Sequence, residues 1–118
     1  MGVTMEVLFA SVPVSDLKAA TPWYELLFGR PPDIVPNENE VMSCVAGTGW
    51  LYLMQDTERA GGTTVTISVS DLDRFVGDLA DRGIRTGPIE VVGDAGRKAV
   101  ALDVDGNVIA WIEVATVT

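Results

Sequence analysis

Histidine is the side chain that most often moves a proton or binds a transition metal near neutral pH. It does not occur in this 118-residue chain. There is one cysteine, Cys44. It reads either as a small apolar strand residue or as a reactive thiol, and no histidine is available to activate it. Carboxylates are abundant, 17 against 8 lysines and arginines. Acid–base chemistry would need one of them with a raised pKa inside an enclosed site. They are instead spread along the chain, with one cluster at Asn37-Glu38-Asn39-Glu40. Asp103-Val104-Asp105-Gly106 has the look of a calcium loop, but Ala101 and Ile112 stand where an EF-hand needs its outer acidic ligands. The segment reads as a turn.

The formal net charge of −9 repels phosphate backbones, so nucleic acid is an improbable partner. An acidic surface serves solubility, or it attracts a cationic small molecule. No apolar segment is long enough to span a membrane. The N-terminal stretch lacks a basic region and carries Glu6, which argues against a secretory signal. A cytoplasmic location is expected.

Any site must be positioned by the elements around it. Met5 to Val14 reads as a strand with Pro13 near its end. Ser15 is the expected N-cap of a helix with Leu17, Ala20, Tyr24, Leu27 and Phe28 at helical spacing. Gly29 closes it ahead of Pro31-Pro32, and Pro22 is expected to kink or split it. Extended stretches follow at 33–35, 41–46 and 50–55, the last two joined by a turn at Thr48-Gly49. After Arg59-Ala60-Gly61-Gly62 the pattern restarts. Residues 63–69 alternate as a half-buried strand. Ser70, paired with Asp73, is the expected cap of a second helix carrying Leu72, Phe75, Val76, Leu79 and Ala80, which ends at Gly83. Strands follow at 89–92, 98–103 and 108–114, with Asp105-Gly106 as the last hairpin turn.

This is an internal repeat of strand, helix and three strands. Val14-Ser15-Asp16-Leu17 recurs as Val69-Ser70-Asp71-Leu72. The expected organisation is a single α+β domain over 1–118, with module one at about 1–58, a linker at 59–62 and module two at 63–118. Each unit covers one face of its sheet with its own helix. Two units together curl their sheets around a shared cleft, a common kind of ligand site.

Two βαβββ modules in so short a chain resemble the vicinal oxygen chelate superfamily, the glyoxalase/bleomycin resistance/dioxygenase group. The local text is similar too: Ser11-Val12-Pro13-Val14-Ser15-Asp16-Leu17 and Pro22-Trp23-Tyr24-Glu25-Leu26-Leu27-Phe28-Gly29 in the first half. Arg82-Gly83-Ile84 and Asp103-Val104-Asp105-Gly106-Asn107 match the second half, with Val104 where the family usually has proline. The resemblance implies metal ligands on the first and last strands of each module, typically two histidines and a glutamate. The matching residues here are Phe9, Thr64, Leu53 and Ala110, the last two placed four residues beyond Gly49 and Gly106. None is a usual metal ligand, so no metal or cofactor is expected. Glu113 falls on the opposite sheet face, and a one-residue shift would turn it inward.

Alternation extends the expected cleft to Ser11, Leu51, Gln55, Thr66, Ser68, Val108 and Ile112. The candidate ligand-binding residues are Phe9, Ser11, Leu53, Gln55, Thr64, Thr66, Ala110 and Ile112, with no catalytic residue. Trp50, Tyr52 and Trp111 are expected under the helices. Such mixed apolar and hydroxyl walls suit a moderately polar organic molecule, or they are filled by side chains or a dimer contact. The tryptophans belong to core or interface, or stack on a ligand. The resemblance points to a metal-free small-molecule binding protein, a homodimer that sequesters a cationic or aromatic ligand such as a drug. The alternatives are a lyase, isomerase or dioxygenase with an atypical metal site, and a scaffold that has lost its ligand.

Overall fold

The computed structural model describes residues 2–94 and 96–115, so the expected end of module two at 118 lies outside them. The chain runs β1 (Leu8–Val14), α1 (Leu17–Phe28), β2 (Ile34–Asn37), β3 (Glu40–Ala46), β4 (Gly49–Gln55), β5 (Thr64–Ser68), α2 (Leu72–Asp81), β6 (Glu90–Val92), β7 (Gly96–Leu102) and β8 (Val108–Val114). The strands form two four-stranded mixed sheets, ordered β1-β4-β3-β2 and β5-β8-β7-β6. In each, the first strand runs parallel to the last strand of its module. That pairing requires a crossover, and the helix supplies it.

Both helices start one residue later than the serine caps imply. Asp16 Oδ1 accepts from Lys18 N and Ala19 N, and Asp71 Oδ1 accepts from Arg74 N. An ionised carboxylate on the free N–H groups of the first turn also opposes the helix dipole, which a hydroxyl cannot match. Ser15 is used differently: its hydroxyl donates to Asp105 of the second module. Pro22 neither splits nor ends α1, which is assigned as one helix across it. Its exposed position in the second turn costs one backbone bond. The C-terminus of α1 closes on Gly29 at φ 73°, where a Cβ would lie 2.6 Å from Arg82 Nη1.

Leu17, Ala20, Tyr24 and Leu27 form the buried stripe of α1, and Leu72 and Leu79 that of α2. With Val12, Val14, Leu51, Leu53, Ile109 and Trp111 they make one core that spans both modules. Each large apolar side chain so buried contributes about 1.5–3 kcal/mol.

The modules are joined by a buried polar junction. Tyr24 OH donates to Asp103 Oδ2 at 2.6 Å. Asn107, wholly buried, donates from Nδ2 to Pro13 O and Asp103 Oδ2, while its Oδ1 accepts from Gly61 N and Thr63 N. All four bonding positions of the amide are used, as a buried amide requires. Burial, followed by the hydrogen bond to Asp103, pushes the Tyr24 hydroxyl far above its ordinary pKa. Tyr24 therefore stays a neutral donor at every pH the protein meets.

Candidate functional site

The sheet faces turned away from the helices carry the candidate site. In module one, β1 pairs with β4 so that Phe9 lies beside Trp50, Ser11 beside Tyr52 and Pro13 beside Met54. On β3, Met42 and Cys44 lie beside Tyr52 and Trp50. Residues in register share a face. Phe9 is 47% exposed, and its ring centroid lies 6.0 Å from that of Trp50 and 6.4 Å from that of Tyr52. Three aromatic rings thus form a platform on an open sheet surface. Such rings lie at distances where stacked and edge contacts are favourable.

This arrangement corrects the expected placement of β4. Leu53 and Gln55 do not share a face with Phe9 and Ser11. Leu53 is 2% exposed and lies with Val41 and Ser43 against Tyr24 and Phe28 of α1. Gln55 Oε1 accepts from Leu17 N at the start of α1. Leu51 is likewise buried in the core, and Trp50 and Tyr52 take the open face instead of packing under the helix. The reason is the unequal length of the two hairpin turns. Gly49 already belongs to β4 and pairs with Leu8. Gly106 lies two residues before β8 begins, and Val108 pairs with Thr64. Counting four residues from each glycine therefore lands on opposite faces. By register with Phe9 and Thr64, the β4 residue matching Ala110 is Tyr52.

In module two the faces fall as the alternation requires. Thr64 pairs with Val108, Thr66 with Ala110 and Ser68 with Ile112. Lys98 and Val100 of β7 lie beside Ile112 and Ala110. The three hydroxyl residues of β5 are exposed, whereas Ala110 is buried and Ile112 half-buried. Val65, Ile67 and Trp111 lie on the helix side, Trp111 with its ring 5.3 Å from that of Phe75. Of the three tryptophans, Trp111 belongs to the core. Trp23 packs edge-on against Tyr24 at 4.8 Å, and Trp50 alone joins the open face.

Glu113 lies on the helix side of β8. Its Oε2 accepts from Leu72 N at 2.8 Å, and its Oε1 from Arg97, which also pairs with Asp73. The Leu72 N–H and then Arg97 hold the Glu113 carboxyl below its ordinary pKa. A carboxylate so engaged is a helix anchor and does not face the aromatic platform.

Corrected by register, the positions where the resemblance implies metal ligands are Phe9, Tyr52, Thr64 and Ala110. This set does not fit a transition metal. It offers no nitrogen, thiolate or carboxylate donor, and catalytic sites need about three. Among the described residues, no three of His, Cys, Asp and Glu come together in a possible metal site. No described helix is long and apolar enough to cross a membrane.

No protein-family model matches the sequence, and no curated protein does. Solved structures do match. A glyoxalase/bleomycin resistance protein from Catenulispora acidiphila DSM 44928 is 35% identical, with a TM-score of 0.85 over 93% of this chain and 99% of its own. TnmS3, an antibiotic binding protein from Streptomyces sp. CB03234, is 24% identical, with a TM-score of 0.76 over 98% of this chain and 99% of its own. A bleomycin-binding protein complexed with bleomycin is 19% identical, with a TM-score of 0.75 over 93% of this chain and 98% of its own. At those lower identities the last two speak for the fold alone.

Proposed function

Since this chain belongs to the glyoxalase/bleomycin resistance family of the vicinal oxygen chelate superfamily, we propose that it is a metal-free binding protein for a small aromatic molecule. The observation that carries this reading is the platform of Phe9, Trp50 and Tyr52, of which Phe9 and Tyr52 stand at positions where the resemblance implies metal ligands. Rings at that place can stack on a planar ligand but cannot polarise an oxygen. Relatives of the same fold described as antibiotic-binding and bleomycin-binding support the class of ligand. Thr64, Thr66 and Ser68 on the other sheet supply hydroxyl donors and acceptors for its polar edge.

A homodimer completes the site in this reading. The open faces leave Phe9 at 47% and Leu102 at 60% exposure, one on each sheet. Apolar side chains exposed on a sheet face mark an interaction surface. A second copy that brings its hydroxyl-bearing sheet over the aromatic sheet of the first would make one cleft from two chains. The ligand then lies between rings and hydroxyls. The net charge of −9 favours a neutral or cationic ligand over an anionic one.

Two measurements test this. Elemental mass spectrometry on protein without a histidine tag should find no stoichiometric metal, even after incubation with nickel, zinc, manganese or iron. A screen of planar neutral and cationic aromatic compounds should raise the melting temperature. Stoichiometric metal, with turnover that a chelator abolishes, would replace the binding reading with an enzymatic one.

A further inference from the structure

Behind the sheets, where the ends of α1, β3 and β5 meet α2, lies a groove of about 520 Å³. That volume is within the range of small-ligand sites. Its walls mix polar and apolar surface, the apolar part coming from Phe28 of α1, Val45 of β3, Ile67 of β5, Phe75 of α2 and Trp111 of β8. Phe9, Trp50 and Tyr52 take no part in it, and only Cys44 and Ser68 at its edge are shared with the open sheet faces.

Two guanidinium groups border this groove, and they are not alike. Arg30 is matched: its Nη2 donates to Asp33 Oδ2 at 3.1 Å and to Cys44 O. Arg82 is not. Its Nη2 donates to Leu27 O at 3.2 Å. Its Nε is buried without any hydrogen-bond partner and is closed to the groove, which the rest of the guanidinium meets, and among the described residues no carboxylate lies within ion-pair distance. Asp78, one turn earlier on α2, also borders the groove and forms no ion pair with Arg82. The last carbonyls of α1 offset part of the Arg82 charge. They use little of a side chain that has five N–H donors and stays charged at all working pH values. A partly buried guanidinium without an anionic partner is costly, and a planar carboxylate is the group that matches its fork.

We infer that this groove binds a small amphiphilic carboxylate, with its aromatic or aliphatic body against Phe28 and Phe75 and its carboxylate on Arg82. The site does not use the platform rings and takes a ligand of opposite charge preference. Arg82 spans the two modules, since it belongs to module two and holds Leu27 O of module one. A ligand here also bears on how firmly the modules are joined.

The test is an amide-resolved NMR titration with naphthalene-2-carboxylate, set beside the neutral naphthalene-2-methanol. Saturable shifts are expected at residues 44–46, 67–69 and 75–82 with the carboxylate, and binding at least about tenfold weaker with the alcohol. R82Q should weaken the carboxylate at least about tenfold, the loss of one charge-assisted bidentate contact. If R82Q does not fold, A46W decides. Its exposed side chain fills the groove mouth, and it should abolish the shifts in a folded protein. The proposal is overturned by an absence of saturable shifts, by shifts confined to Phe9, Trp50 and Tyr52, by equal affinity for acid and alcohol, or by undiminished binding in A46W.

Discussion

Gln55 and Glu113 occupy equivalent places in the two modules and perform the same task. Gln55 Oε1 accepts from Leu17 N at 3.0 Å, and Glu113 Oε2 accepts from Leu72 N at 2.8 Å. Each last strand thereby holds the first free N–H of its own module's helix, which has no partner within the helix. One module uses a neutral amide and the other a carboxylate tied to Arg97. The repeat therefore carries a pH-dependent anchor on one side only.

Glu113 and Asp73 both have folded-state pKa values below their ordinary ones, Glu113 through the Leu72 N–H and then Arg97, Asp73 through Arg97. A lowered folded pKa gives stability that is complete above the unfolded value, about 4.3 for Glu and 3.9 for Asp, and is lost as pH falls through the folded value. E113Q keeps an acceptor for Leu72 N, as Gln55 shows, but gives up the charge. Its melting temperature should fall less steeply than that of the wild type below about pH 4. Thermal denaturation across that range checks this, and parallel acid limbs would contradict it.

Asn107→Ala removes four hydrogen bonds from a wholly buried amide and strands Gly61 N and Thr63 N. A loss of about 3 kcal/mol or more is expected. Asn107→Asp should also destabilise, because a carboxylate cannot donate to Pro13 O. Urea denaturation measures both.

Tyr24→Phe deletes the donor to Asp103 but keeps the ring against Trp23 and Phe28. It should cost about 1–3 kcal/mol and leave binding at the aromatic platform unchanged. A loss of affinity without a loss of stability would place Tyr24 in the site rather than in the junction.

Gly29→Ala meets two obstacles, φ 73° and Arg82 Nη1 at 2.6 Å. The left-handed backbone alone costs about 1–2 kcal/mol. Chemical denaturation of the variant should show at least that loss.

Much of this structure was legible in the sequence. The repeated Val-Ser-Asp-Leu marks both helix starts, because the aspartate in it caps each helix. Alternation in Thr64–Ser68 separates exposed hydroxyls from half-buried aliphatics. The Asp103–Asn107 segment reads as a turn and forms one, but its role as the junction between modules rests on contacts with Pro13, Gly61 and Tyr24 that no local pattern encodes. The sequence misled most at β4. Nearly every residue of Gly49–Gln55 is apolar or aromatic, so composition does not mark the inner face. Only register with β1 settles which side Trp50 and Tyr52 take. The groove behind the sheets joins five separate segments and has no signature along the chain.

The central claim, a ligand stacked on the rings of Phe9, Trp50 and Tyr52 without a metal, is tested most directly by fluorescence titration of chelator-treated protein. The ligand is the aromatic compound that most raises the melting temperature, and W50F and W50A are titrated alongside the wild type. The wild type should show saturable quenching. W50F should bind nearly as well by a calorimetric readout while losing most of the quenching, and W50A should bind about tenfold more weakly. Undiminished binding in W50A, or binding that appears only when a divalent metal is restored, would contradict it.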